Sequence, residues 1–229
     1  MKKVLYGLLA LGLLTACGEE EPVEETATDT QEADMEDAIS IEESVHYKEE
    51  GIETVEGDDF TFHYYAVLKN NAEEDIDTFN STLTWYDSEG NMVATEDGYK
   101  VNIYPYTIPA GETAFVAVRT SQQPDTELGE AELDLSIQES TTEHIALETT
   151  DVNLTAEADV LGKVENTTGE PIESATIAAG LYGENGLLGV IATGVEELED
   201  TKPFEAYGQD VPEEIIEDIE EVETKAFVK

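Results

Sequence analysis

One stretch of this chain repeats another, and that repetition limits the fold more than any other feature. Residues Ala66 to Gly90, AVLKNNAEEDIDTFNSTLTWYDSEG, align without a gap on Gly162 to Gly186, GKVENTTGEPIESATIAAGLYGENG, at an offset of 96. Asn70 falls on Asn166, Ile76 on Ile172, Tyr86 on Tyr182 and Gly90 on Gly186, while Leu68 meets Val164 and Trp85 meets Leu181. Few positions are identical, but the order of apolar runs, Asn-containing turn, aromatic and Gly hairpin is the same. A period near 100 residues is long enough for each copy to close a core of its own. Further on, an offset of 89 sets Phe115 on Phe204 and Leu133 on Val222, so the second copy is expected to lack seven residues around YKVNIYPYTIPAG.

Within each copy the apolar residues recur with period two, which is the spacing of a strand with one buried face. FTFHYYAVLKN places Phe60, Phe62, Tyr64, Ala66 and Leu68 on one side and His63 on the other, toward solvent or a neighbouring strand. EAELDLSIQ sets Ala131, Leu133, Leu135 and Ile137 against Glu132, Asp134 and Ser136, which reads as a single strand with one wet face. TAFVAVRT is apolar on both faces and reads as a central strand. Gly and Pro in DSEGN, ENG, IPAGE and TTGEP mark the turns. VPEEIIEDIEEV is the one segment with helical spacing, and the repeat cuts it short. A helical turn is expected near Glu213 to Asp218, followed by a strand from about Val222 to Val228.

These signals predict an all-β chain with two tandem immunoglobulin-like β-sandwich domains, over residues 38–140 and 141–229. The chain has one cysteine, Cys17, so no intersheet disulfide can form. Packing around Trp85, Phe115 and their counterparts is expected to carry each core.

The first 37 residues read differently. Lys2 and Lys3 precede an apolar run from Val4 to Leu14, too short to span the roughly 30 Å of bilayer hydrocarbon but suited to a secretory signal. The run closes with Leu14-Thr15-Ala16-Cys17, which resembles the lipobox of bacterial lipoproteins. That resemblance implies a diacylglycerol thioether on Cys17, cleavage after Ala16, a signal peptide of residues 1–16, and an acylated protein facing outward from the cell membrane. Two or more acyl chains, such as palmitate, hold stably where one holds only marginally. The stretch 17–37 is dominated by carboxylates, with Thr, Ala and Pro between them. It has too little apolar surface to offset ordering entropy and reads as a disordered acidic tether.

The formal charge is −45, and cleavage after Ala16 leaves 8 basic residues against 55 acidic ones, a charge of −47. Such a chain repels nucleic acid and anionic headgroups, so neither is an expected partner. Leu83-Thr84-Trp85-Tyr86-Asp87, followed by SEGNMV, resembles the FxLYD family of small β-sandwich domains from bacterial secreted, lipid-anchored or membrane-attached proteins. The second copy, Ala179-Gly180-Leu181-Tyr182-Gly183, keeps the Leu-Tyr pair and lacks the first aromatic and the Asp, so it resembles a degenerate member. The resemblance implies no catalytic residue, and Tyr86 and Tyr182 read as packing residues at strand ends.

Chemistry is sparse. His46, His63 and His144 have no metal-ligand spacing among them, GKVENTTG lacks the ending of a phosphate-binding loop, and no nucleophile elbow occurs. Three Asn-x-Thr/Ser sequences, at Asn80, Asn153 and Asn166, read as chance matches in a bacterial chain. An enzyme, a metal site and a cofactor are therefore not expected. The expected role is non-catalytic binding or spacing at the envelope, with an exported protein or wall polymer as partner. Tyr99, Tyr104 and Tyr106 form the candidate surface, set against a purely structural role in covering a sandwich edge. The alternative is calcium or other cation buffering by the dense carboxylates, although no EF-hand spacing is present.

Overall fold

The computed structural model describes residues 38–54, 57–123 and 125–228. Cys17 and the stretches read as a signal peptide (1–16) and an acidic tether (17–37) lie outside them. Almost every described residue belongs to an antiparallel strand or the turn joining two, and the architecture is an all-β, sandwich-like fold.

In the first half, β1 (Ile39–Thr54), β2 (Gly57–Asn70), β8 (Thr113–Gln123) and β6 (Asn102–Tyr104) form one sheet in the order β1-β2-β8-β6. A second sheet has the order β5-β4-β9, from Met92–Asp97, Thr82–Asp87 and Leu128–Asp134. The alternation read from the sequence places residues as expected. Phe60, Phe62, Tyr64, Ala66 and Leu68 of β2 are buried against Leu83 and Trp85 of β4, with Ala114, Val116 and Val118 of β8 beside them. The stretch read as one strand, EAELDLSIQ, is two. After β9 the chain leaves β4 and forms β10 (Ile137–Glu139), which pairs with β3 (Ile76–Thr78). Strand β3 in turn pairs with β7 (Thr107–Ile108). The switch sits at Ser136, whose N–H meets Ser81 Oγ at 3.4 Å and whose carbonyl accepts from Phe79 N–H at 2.9 Å. Period-two spacing runs through such a break undisturbed, so it leaves no mark in the sequence.

The second half repeats the pairing order. β11 (Ala146–Leu154), β12 (Val160–Glu165) and β15 (Thr201–Ala206) stand to one another as β1, β2 and β8 do. β14 (Gly186–Leu198), β13 (Ile172–Gly183) and β16 (Glu221–Val228) match β5, β4 and β9. A short β11–β16 ladder joins both sets into one six-stranded sheet. A 3-10 turn at Glu213–Asp218 precedes β16, as the sequence indicated.

The register corrects one detail. Gly162 occupies the position of Ala66, and Gly162 pairs with Phe204 while Ala66 pairs with Val116. Phe204 therefore corresponds to Val116, at an offset of 88. Setting it on Phe115 was one residue out, and a one-residue slip exchanges the two faces of a strand. The paired residues compensate in volume. The Phe204 ring lies over bare Gly162, where a Cβ would come within 2.6 Å of it, whereas the first half uses Ala66 and Val116. In β16 the ladder likewise sets Val222 opposite Leu181 as Ala131 stands opposite Trp85, so Val222 matches Ala131 rather than Leu133.

Phe115 accordingly leaves the first core. It points to the opposite side of β8 and joins a cluster with Tyr65, Val67 and Ala117 that is continuous with the second half's core. Its ring rests on Gly180 of β13, where an added Cβ would approach within 2.7 Å, and Lys225 Nζ stands 5.4 Å from the ring centroid. The sheet containing β2 and β8 is thus covered on both faces, once by its own partner sheet and once by the second half.

Candidate binding cleft

The two halves differ most between the strands equivalent to β5 and β8. In the second half β14 ends at Leu198 and β15 begins at Thr201, whereas the first half inserts residues 98–112. The insertion opens with a 3-10 turn, Gly98–Lys100, which Gly98 permits through its left-handed φ of 57°. Val101 and Ile103 are buried in the first core, so period two leaves Asn102 pointing outward on the edge strand β6. Tyr99 stands at the tip of the turn and is 89% exposed.

The facing wall is the segment between β3 and β4. Thr78 binds the Tyr106 carbonyl twice, through its N–H at 2.8 Å and its hydroxyl at 2.9 Å, and Gly98 N–H donates to the Ser81 carbonyl at 3.1 Å. Asn80 adopts a left-handed φ of 49°, a conformation Asn tolerates better than most residues, and its amide makes no hydrogen bond among the described residues. Between these walls lies an open cleft of about 370 Å³, with Phe79, Asn80, Tyr99, Asn102, Tyr104 and Tyr106 along it. Phe79 is 41% exposed and Tyr106 45%.

No charged side chain lines this cleft. Of the charges flanking it, Asp97 stands exposed beside Gly98, while others are engaged with neighbours. Lys100 pairs with Glu96 at 2.5 Å, which holds the ammonium pKa above its ordinary value, and Asp77 Oδ1 accepts from the Thr107 hydroxyl at 2.6 Å.

The three tyrosines singled out from the sequence divide between roles. Tyr99 and Tyr106 present their rings to solvent, while Tyr104 is half-buried and packs against the cluster joining the halves. Phe79 and Asn80 were not recognised, because they fall in an irregular segment with no period to expose them.

His63 is not at the surface. It is 1% exposed, with Nδ1 at 3.1 Å from the Tyr65 hydroxyl and Nε2 at 3.1 Å from Glu49 Oε2 on β1. Both ring nitrogens are engaged beneath the surface, which suits a structural role better than that of a base. His144 lies in the connector between the halves beside the Phe227 ring, where burial lowers its pKa. Among the described residues, no three His, Asp or Glu side chains cluster as metal ligands would. Asp87, the last residue of β4, anchors the turn that follows. It accepts the N–H groups of Glu89 and Asn91 at 2.9 and 2.8 Å, and Asn91's amide and N–H hold its pKa below the ordinary carboxylate value. Tyr86 donates to Glu132 at 3.2 Å on the outer face of its strand. No family model matches this chain, and no curated protein matches it.

Proposed function

We propose that this chain is a bacterial lipoprotein, acylated on Cys17, that carries tandem FxLYD-like, immunoglobulin-like sandwich domains on an acidic tether and serves as a non-catalytic binding protein on the outer side of the cell membrane. The cleft along Phe79, Tyr99 and Tyr106 is its contact surface. One observation carries this reading. Four aromatic side chains are exposed among the described residues, and three of them line this one cleft, which the second half lacks. Exposed apolar surface gathered in one place marks an interaction site, whereas scattered apolar residues do not. The equivalent strand order in the two halves supports the tandem arrangement.

The test is made in the native cell. A photo-crosslinking amino acid at position 99 should capture an envelope component, and the same residue at 207, the exposed tyrosine outside the cleft, should not. Cys17→Ser should leave the protein unacylated by mass spectrometry and free of the membrane fraction. Unchanged fractionation would remove the anchor from this reading.

A further inference from the structure

We infer that the cleft accepts an uncharged sugar ring of a glycan chain, with the Tyr99, Phe79 and Tyr106 rings as stacking faces and the Asn80 amide as the hydrogen-bonding group. The inference rests on the cleft being the contact surface and names what it holds.

The lining argues the ligand's chemistry by what it offers and what it omits. More than a quarter of the chain's residues are charged, yet none of the residues lining this cleft is. An anionic ligand would approach against a net charge of −45 and find no cation in the cleft to receive it. A cationic ligand would be drawn by the same field but would find no carboxylate in the lining. Asp77 and Glu96 are held by Thr107 and Lys100, and Asp97, exposed beside Gly98, stands outside the lining. A neutral ligand meets neither obstacle.

Aromatic faces bury apolar surface of defined, flat shape, while a tyrosine keeps a hydroxyl at its rim for water or ligand. The axial C–H face of a pyranose is the complementary flat apolar surface, and its ring hydroxyls are both donors and acceptors. A carboxamide matches them, because it offers an acceptor oxygen and two donor hydrogens at once. Asn80 has that capacity unspent, and the neighbouring Asn102 amide makes only long contacts, 3.3 Å to the Ala117 carbonyl and 3.5 Å to that of Lys100. The cleft is open rather than enclosed, so a polymer can enter from the side instead of by its end. An extended peptide is the competing occupant. It would need a backbone ladder, and β6 offers an edge of three residues.

The experiment titrates the folded chain lacking its signal peptide with N-acetylglucosamine and glucose hexasaccharides, followed by calorimetry and by tyrosine ring NMR signals. At least one hexasaccharide should bind saturably. Its affinity should hold steady from about 20 mM to about 500 mM salt, because no ion pair is made. Tyr99→Ala should weaken that binding about fivefold to tenfold, the loss of one aromatic stack. Tyr207→Ala should leave it unchanged. The side chain of Tyr99 is almost wholly exposed, so its removal leaves the fold intact, and circular dichroism of each variant checks this. Absence of saturable binding by both sugars overturns the inference. So does binding that a lysine-rich peptide displaces, or binding that falls steeply with salt. If both sugars fail while position 99 still crosslinks to a protein in cells, the glycan inference falls and the contact surface stands. If both experiments fail, the two readings fall together.

Discussion

The carboxylate of Glu43, on the first strand of the first half, accepts a hydrogen bond from the backbone N–H of Leu187 in the second half, at 2.6 Å. The bond caps the hairpin between β13 and β14, whose turn reaches φ of 113° at Gly186, and a Cβ at Gly186 would run into Glu43 Oε1. One side chain thus fixes the hairpin of one half against the edge strand of the other. Glu43→Ala should lower stability by about 1–2 kcal/mol, the usual worth of a hydrogen bond to a charged acceptor that is partly open to water. Gly186→Ala should cost more, through backbone strain and the clash together. In a Glu43→Ala background the clash is gone and only the strain remains. A double-mutant cycle by denaturant unfolding should therefore show the two changes to be less than additive.

A second contact between the halves is made by Phe115 and Gly180. The ring rests on bare backbone, so Phe115→Ala should open a cavity costing about 3–5 kcal/mol, as for other buried aromatics. Gly180→Ala should cost stability from the opposite direction, by overfilling. Joining Gly180→Ala to Phe115→Leu should recover part of that loss in thermal midpoint, since the smaller side chain makes room for the added methyl. If the two substitutions were strictly additive, the ring would not be resting on Gly180.

Asn70 and Asn166 make the same clasp in the two halves. Each side-chain oxygen accepts from the N–H two residues on, Ala72 or Thr168, and each amide donates to the carbonyl four residues on, Glu74 or Glu170. Each amide also reaches across, to Ile108 in one half and to Leu198 and Glu199 in the other. Asn70 is fully buried, so Asn70→Ala strands carbonyls without water and should cost about 1–3 kcal/mol. Asn166 is partly exposed, water can replace its amide, and Asn166→Ala should cost less. Denaturation midpoints of the two variants, measured side by side, check the order.

How far the sequence could be read follows from what each signal reports. Alternation reports which residues share a face, so the first-half core on β2, β4 and β8 was legible. The paired Asn residues and Gly hairpins anchored the offset of 96. Register downstream had no such anchor. An insertion whose length is off by one residue moved Phe115 to the wrong face, and with it into the wrong core. Apolar residues on both faces of β8 announced a covered strand but not what covers it, and the answer, the second half, is a tertiary fact. His63 sits on the face opposite Phe62, and alternation alone leaves it between solvent and a neighbouring strand; its contact with Glu49 on β1 decides for the strand. The cleft was half legible. Its tyrosines stand in an unusual local composition, but Phe79 and Asn80 become neighbours of Tyr99 only through the bonds from Thr78 to Tyr106 and from Gly98 to Ser81.

Alkaline pH should loosen the contact between the halves before neutral or mildly acid pH does. Burial pushes the Tyr47 hydroxyl up to about 12, with Glu214 and Asp218 adding to the shift, and burial likewise raises Tyr182 to about 12, with Glu223 and Glu43 next in weight. Burial also raises Tyr64. In the unfolded chain these phenols titrate near pH 10. Below pH 10 both states hold their protons, so the groups add no pH dependence. Between pH 10 and pH 12 the unfolded chain sheds protons that the folded chain retains, and stability falls as pH rises through that window. Thermal midpoints should therefore decline from about pH 10, and ultraviolet absorbance should show these tyrosines ionising late, together with unfolding. Replacing Tyr47 and Tyr182 with Phe should flatten the decline and leave the share due to Tyr64, Tyr86 and Tyr207, whose hydroxyls are also raised. A decline of the same steepness in that double variant would mean that the phenols between the halves are not what alkali attacks.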